Sequence, residues 1–131
     1  MKQVVDFLLN IIKSGDTLAL CGELGTGKTT LSRLLINKLG YNGRVMSPSF
    51  IVCCEYRLNI GIINHLDFYR IGTFDELIDL GIEEIIDESY LTIIEWADMF
   101  ESDLENIVNS GYKIILNYDE TGGRNIEIKT I

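Results

Sequence analysis

A glycine-rich segment ending in Lys28 and Thr29 has the residue types and spacing of a phosphate-binding loop. It begins at Gly22 and fits the pattern G-x-x-x-x-G-K-T. Gly22, Gly25 and Gly27 let main-chain N–H groups turn inward, and the dipole of a following helix adds positive charge there. We expect Lys28 to reach the β- and γ-phosphates and the Thr29 hydroxyl to bind Mg²⁺. The predicted nucleotide contacts from this segment are Glu23, Leu24, Gly25, Thr26, Gly27, Lys28, Thr29 and Thr30.

Two carboxylates that follow apolar runs fit the acidic part of such a site. Asp67 lies near the end of segment 62–69, and Glu95 ends a buried-strand pattern that begins at Leu91. A carboxylate at a strand end can hold Mg²⁺ or orient a water near the γ-phosphate. We therefore predict Lys28, Asp67 and Glu95 as catalytic. Trp96, the only tryptophan, either closes over the site or belongs to the core.

Two further polar groups are candidates whose interpretation stays open. Ser49 follows Pro48, which fixes its own φ and biases Ser47 toward extended geometry. The Ser49 hydroxyl either contacts a γ-phosphate or its Mg²⁺, or the segment is a simple turn before a strand. His65 is predicted to share a strand face with Asp67. A single histidine near a strand end is more often structural than catalytic.

The elements around these residues predict a single P-loop ATPase domain over 1–131. The connection between segments 50–58 and 62–69 is too short for a crossover, which indicates an antiparallel hairpin. Thr73 and Glu76 predict a capping box at the start of a short helix. The predicted strands are 17–21, 50–58, 62–69, 91–96, 112–118 and 125–130. The expected fold is a three-layer α/β P-loop nucleoside triphosphate hydrolase fold, with a mixed sheet extended by antiparallel hairpins.

Composition limits the class of protein further. With 11 basic and 20 acidic residues, the net charge is −9, which argues against direct binding of nucleic acid. The three cysteines are odd in number and two are adjacent, so a disulfide framework is not expected and a reducing cytoplasm is favoured. No apolar run approaches the roughly 18 residues of a membrane span, and the start does not resemble a signal peptide.

Other nucleotide-binding classes fit less well. The N-K-x-D pattern of GTPases lacks its Asp at 37–40, and the D-x-x-G spacing at 119–122 falls in the last hairpin. Small-molecule kinases carry an arginine-bearing lid, whereas Arg44, Arg57 and Arg70 are scattered. ATP hydrolysis, with ATP preferred over GTP, is the favoured interpretation. A nucleotide-gated binding module with negligible turnover and a small-molecule P-loop kinase remain alternatives. No obvious arginine finger is supplied in cis, so we expect slow turnover by the isolated protein.

The order of the motifs resembles the TsaE family, the ATPase of bacterial tRNA threonylcarbamoyladenosine biosynthesis. The motifs that carry the resemblance are G-E-L-G-T-G-K-T-T at 22–30, S-P-S-F at 47–50, H-L-D-F-Y-R at 65–70, L-x-x-L-G-I at 77–82 and I-E-W at 94–96. The family works with TsaB and TsaD, whose complex transfers the threonylcarbamoyl group to an adenosine of tRNA. The resemblance therefore implies TsaB- and TsaD-like partners, with tRNA contacted only through the complex.

The resemblance also implies roles for individual residues. Lys28 would bind phosphates, Thr29 and Glu95 would ligate Mg²⁺, and Asp67 would be the acidic partner near the metal and the γ-phosphate. The segment 47–49 would act as a nucleotide-sensing switch loop, and its last residue is Ser where the family usually has Thr. The tryptophan that follows Glu95 would lie beside the site.

Overall fold

The computed structural model describes every residue from Met1 to Ile131. One sheet contains six strands: β1 Asp16–Gly22, β2 Cys53–Leu58, β3 Gly61–Asp67, β4 Leu91–Glu95, β5 Gly111–Tyr118 and β6 Arg124–Thr130. Five helices accompany it: α1 Lys2–Ile11, α2 Lys28–Lys38, α3 Phe74–Leu80, α4 Ile82–Glu88 and α5 Glu101–Ile107. A 3₁₀ turn covers Ala97–Phe100. None of the helices combines the length and apolar character needed to cross a bilayer.

The strand order is β2-β3-β4-β1-β5-β6. The four inner strands are mutually parallel, because β4 and β5 flank β1 in parallel and β3 joins β4 in parallel. The β2–β3 and β5–β6 pairs are antiparallel hairpins at the two edges. This topology confirms the prediction of a mixed sheet extended by antiparallel hairpins.

Helices cover both faces of the sheet and create two hydrophobic cores. On β1, Leu18 and Leu20 point into the core under α1 and α2, while Ala19 and Cys21 point into the core under α3, α4 and α5. Successive side chains of a strand face opposite sides, so a strand buried on both sides must be apolar throughout its length. This explains the almost wholly apolar run before the phosphate-binding loop and gives the predicted three layers.

The first hairpin is shorter at both ends than the sequence predicts. Residues 50–52 form a turn, in which the Val52 N–H donates to the Pro48 carbonyl at 2.8 Å. Val52 has φ of 69°, a left-handed conformation that a strand cannot continue through. The segment therefore enters β2 only at Cys53, and β3 ends at Asp67 rather than at Tyr69.

The predicted capping box is only partly formed. Thr73 is the N-cap of α3, but its side chain makes no capping hydrogen bond. The Glu76 carboxylate accepts instead from the N–H of Gly72, at 3.4 Å. The two reciprocal hydrogen bonds of a capping box are therefore replaced by one long hydrogen bond from Gly72, the residue before the N-cap. At the other end, α3 stops at Gly81, which has φ of 89°.

Candidate nucleotide-binding site

The predicted phosphate-binding loop connects β1 to α2, and its glycines are required by its geometry. Gly27 is the N-cap of α2 and has φ of 105° and ψ of 19°, in the left-handed region. A β-carbon on Gly22 would lie 2.3 Å from the Leu116 carbonyl oxygen of β5, which no side chain tolerates. The loop thus turns sharply at the carboxyl end of a central parallel strand, and α2 begins directly after it.

Lys28 is folded back onto the loop. Its Nζ atom donates to the carbonyl oxygens of Gly22 at 2.6 Å and Glu23 at 2.8 Å. The same ammonium lies 3.9 Å from the centroid of the Trp96 ring, a cation–π contact. Burial lowers the pKa of Lys28, and the charge of nearby Asp98 partly opposes that shift. The ammonium is therefore held inside the loop by groups that phosphate oxygens can replace.

Glu95 is the most enclosed carboxylate of the site. It ends β4 and is 1% exposed. Its Oε1 accepts a hydrogen bond from the Thr29 hydroxyl at 2.7 Å, and its Oε2 lies 2.5 Å from Nε2 of His65. His65 is completely buried and its Nδ1 has no partner. Nε2 therefore carries the hydrogen that bonds Glu95, because no acceptor faces a hydrogen on Nδ1.

Asp67 lies next to Glu95, since the parallel register of β3 and β4 pairs these two residues. Its Oδ1 accepts from the N–H of Tyr69 at 2.9 Å, and its Oδ2 accepts from the Ser49 hydroxyl at 3.3 Å. The hydroxyls of Ser49 and Ser47 are 2.7 Å apart. The structure thus brings the predicted switch segment into contact with the acidic pair.

Trp96 lies beside the site in an unusual conformation. Its φ of 58° and ψ of 35° are left-handed, which is uncommon for a large side chain. This geometry places the Trp96 ring between Lys28 and Tyr69. The centroids of the Trp96 and Tyr69 rings are 4.9 Å apart. Trp96 therefore lies beside Lys28 and also packs, half-buried, against the core under α3, α4 and α5, so its two sequence interpretations both remain open.

These groups surround one cleft of about 260 Å³. Its lining residues are Leu24, Gly25, Gly27, Lys28, Thr29, Thr30, Ser49, Asp67, Glu95, Trp96 and Arg124. Two of the predicted nucleotide contacts, Glu23 and Thr26, do not line this cleft. Thr26 is buried, and its hydroxyl donates a hydrogen bond to the Glu23 carbonyl at 2.8 Å. This bond stabilises the turn of the loop. A larger cavity of about 360 Å³, against α5 and β5, contains none of the predicted site residues.

Sequence reasoning missed the contribution of the C-terminal hairpin. Arg124 lines the cleft, and the Tyr118 hydroxyl donates to the carbonyl of Gly25 in the loop. Tyr118 and Arg124 are register partners across β5 and β6. It also missed the contact between His65 and Glu95. No local motif signals either feature, because each depends on strands that are distant in the chain.

The donors in the cleft fit Mg²⁺ bound together with a nucleotide. The Thr29 hydroxyl and the carboxylates of Asp67 and Glu95 are hard oxygen ligands, and Mg²⁺ usually takes one or two carboxylates beside waters and substrate phosphates. No cluster of three or more His, Cys, Asp or Glu side chains is arranged to hold a metal ion by itself. The hydrogen bond from Thr29 to Glu95 leaves the lone pairs of the hydroxyl available to a cation.

The sheet order and the loop between β1 and α2, with two carboxylates beside it, define a P-loop α/β fold. A family model described as "Threonylcarbamoyl adenosine biosynthesis protein TsaE" matches residues 1–126. The chain therefore belongs to the TsaE family, which confirms the resemblance seen in its motifs.

Individual relatives agree with this assignment. The chain is 35% identical over 110 residues to a tRNA threonylcarbamoyladenosine biosynthesis protein TsaE of Haemophilus influenzae, covering 82% of this chain and 65% of that protein. The Bacillus subtilis protein of the same name is 35% identical over 103 residues, covering 79% and 64%. The chain thus spans slightly under two thirds of each. A crystal structure of Bacillus subtilis YdiB matches with a TM-score of 0.72 and 26% identity, over 98% of this chain and 76% of that one.

Proposed function

We propose that this chain binds ATP with Mg²⁺ and hydrolyses it slowly, in support of threonylcarbamoyl transfer to tRNA adenosine. The observation that carries the proposal is the convergence of Lys28, Thr29, Asp67 and Glu95 on one cleft at the phosphate-binding loop. The family name links the chain to the biosynthesis of the modified adenosine. TsaB- and TsaD-like proteins are the proposed partners, and they would perform the transfer.

The side chains suggest a division of labour. The loop amides and Lys28 would hold the phosphates, with Lys28 exchanging two carbonyl oxygens for phosphate oxygens. Glu95 would fix the Thr29 hydroxyl toward the cation, and His65 would hold the second carboxylate oxygen. Asp67 would provide the other carboxylate. Bound Mg²⁺ would neutralise charge that develops on the phosphate oxygens.

The loop at 46–52 is the proposed connection between nucleotide and partner. Ser49 contacts Asp67 in the cleft, while the adjoining Phe50 and Ile51 are 81% and 66% exposed. Large apolar side chains with this exposure are typical of protein contacts. A γ-phosphate that competes for the Ser49 hydroxyl would shift this surface. The net charge of −9 favours a basic docking surface on the partner complex, with tRNA held by the partners.

The test is a pull-down of a TsaB–TsaD pair by this protein in ATP, in ADP and without nucleotide, with phosphate release measured in parallel. ATP should favour the complex, ADP should loosen it, and the partners should accelerate phosphate release. Phe50→Ser should weaken association, whereas Ile60→Ser, which alters an exposed apolar residue in the turn before β3, should not. Nucleotide-independent association together with fast hydrolysis by the isolated protein would overturn the proposal. Gated association without turnover would favour a binding module.

A further inference from the structure

The cavity of about 360 Å³ between α5 and β5 shares no lining residue with the candidate nucleotide cleft. Its floor includes Ala19 and Cys21 of β1, whereas the opposite face of that strand carries Leu18 and Leu20. Ala97 adds a third small side chain to the lining. Protein interiors are otherwise close-packed, so the small side chains at these positions create the space. Six of the ten lining residues are hydrophobic, and the volume lies within the range of small-molecule sites, about 300–1,000 Å³.

The charged groups of this cavity do not balance. Glu101 and Glu105 lie one turn apart on α5, and both line the cavity. Like charges at this spacing repel each other. The basic residue in the lining is Lys113 of β5, and it forms an ion pair with Glu101. Its cross-strand neighbour Lys129 is paired with Glu127 of its own strand, at 3.8 Å. Glu105 forms no ion pair, so the cavity carries one uncompensated negative charge.

We propose that this cavity binds a small organic cation, an ammonium attached to an aromatic or branched aliphatic body, at a site separate from the nucleotide cleft. The apolar floor would take the body, and the carboxylate of Glu105 would pair with the ammonium. Glu105 is exposed at the rim, so the ammonium keeps part of its hydration while the body leaves water. An anion would meet the excess negative charge, and a neutral ligand would leave Glu105 without a counter-ion. The inference does not rest on nucleotide binding.

The experiment compares three probes that share a phenyl ring and differ in charge: phenethylamine, 2-phenylethanol and 3-phenylpropionate. Each is titrated into the ¹⁵N-labelled protein, and Kd is obtained from amide shifts in NMR spectra. Phenethylamine, a cation at neutral pH like the lysine side chain, should bind with a Kd on the order of 1 mM, as expected for a ligand of its size. The alcohol should bind about 5-fold more weakly, because it lacks the ion pair, and the anion more weakly still.

Variants of the charged lining test the source of this selectivity. Glu105→Gln should weaken amine binding by about 5-fold and leave alcohol binding unchanged. Lys113→Gln should strengthen amine binding, because Glu101 then also lacks a partner. Asp103→Asn is the matched control, since Asp103 is an exposed carboxylate on the same helix that does not line the cavity. It should leave both affinities unchanged. Circular dichroism and urea unfolding check that each variant folds.

The Cys21 thiol gives a second readout of where the amine binds, because it lines the floor of the cavity. Burial, with a smaller contribution from the charge of Asp98, raises the pKa of this thiol to about 11, so alkylation by iodoacetamide is slow. Bound phenethylamine should slow it further. Cys53 and Cys54, which do not line the cavity, are internal controls in the same sample. Peptide mass spectrometry measures the three rates separately.

Preference for the amine that is reduced in folded Glu105→Gln and kept in Asp103→Asn, together with protection of Cys21, supports the inference. Equal affinity for the amine and the alcohol would overturn the assignment of a cation site. So would amine binding that Glu105→Gln leaves unchanged, amine binding that protects no cysteine or all three alike, or no detectable amine binding.

Discussion

Replacement of Glu95 by Gln tests the centre of the site, because it keeps the shape of the side chain and removes its charge. Oε1 of Glu95 accepts from the Thr29 hydroxyl and Oε2 faces Nε2 of His65, so both oxygens meet donors. A glutamine offers one oxygen and one NH₂ group. If the oxygen keeps the bond from Thr29, the NH₂ group meets the hydrogen on Nε2.

The structure gives a magnitude for each consequence. The clash is relieved in one of two ways: the amide flips, so that its oxygen accepts from Nε2 and its NH₂ group donates to the Thr29 hydroxyl, or the hydrogen of His65 moves to Nδ1, which is buried without an acceptor. The second way leaves an unsatisfied buried donor, which costs about 1–3 kcal/mol of folding stability, and this figure is the upper bound for the loss. Turnover should fall by about 10²-fold or more, equivalent to about 2.7 kcal/mol, because the charge that orients the metal or its water is lost. ATP binding should change much less, since the loop and Lys28 are intact.

The assay compares three quantities for wild type and Glu95→Gln: the free energy of unfolding in urea, Kd for MgATP, and phosphate release with saturating partners. Glu83→Gln is the matched control, because Glu83 is an exposed carboxylate on α4, away from the cleft. A stability loss with unchanged turnover and normal metal binding would refute the reasoning. Glu95 would then serve only the packing of β3 against β4.

Three further predictions concern single groups. Lys28→Ala should remain folded but lose productive triphosphate binding; equal ATP affinity by calorimetry would contradict the assignment of the loop. His65→Ala should lower both stability and turnover because Glu95 loses a hydrogen-bond partner. His65→Gln can still donate an N–H and should restore part of both. If turnover does not fall in the order wild type, His65→Gln, His65→Ala, then His65 is purely structural. Hydrogen bonds to its carboxylate, of which the one from the Thr121 side chain is the largest cause, lower the pKa of Asp119. The ionised carboxylate should therefore hold the turn at 119–123 in place above the ordinary aspartate pKa of about 3.9, and the turn should loosen only as pH falls through the lowered pKa. The NMR chemical shift of the Gly123 amide proton, plotted against pH, reports this change. A titration midpoint above about pH 4 would contradict the prediction.

The central part of the site could be predicted because its signals are local. The loop between Gly22 and Thr29 is a contiguous motif, and its glycine spacing reflects main-chain geometry. Asp67 and Glu95 could each be predicted at a strand end because each follows an apolar run. The structure pairs these two residues in register. The first edge hairpin followed from the short connection after Leu58, and the second from the glycine turn at Gly122 and Gly123.

The parts that could not be predicted depend on contacts between distant segments. The position of Arg124 over the loop requires the register of β5 against β1 and of β6 against β5. The contact of His65 with Glu95 likewise depends on how β3 and β4 align. The first strand of the hairpin starts at Cys53 instead of residue 50, because Val52 has a positive φ, which is unexpected for a β-branched residue. Tertiary geometry decides all three.

The contacts around Lys28 suggest how the nucleotide state reaches the surface. The ammonium lies on the Trp96 ring, and that ring packs against the ring of Tyr69, which is 59% exposed. The N–H of Tyr69 binds Asp67, whose other oxygen accepts from Ser49. If the proposed nucleotide binds and its phosphate oxygens replace the loop carbonyls as partners of Lys28, we expect the cation–π contact to change. We therefore expect the ring of Tyr69 and the loop around Ser49 to respond together, because both are held by the same carboxylate beside the γ-phosphate position.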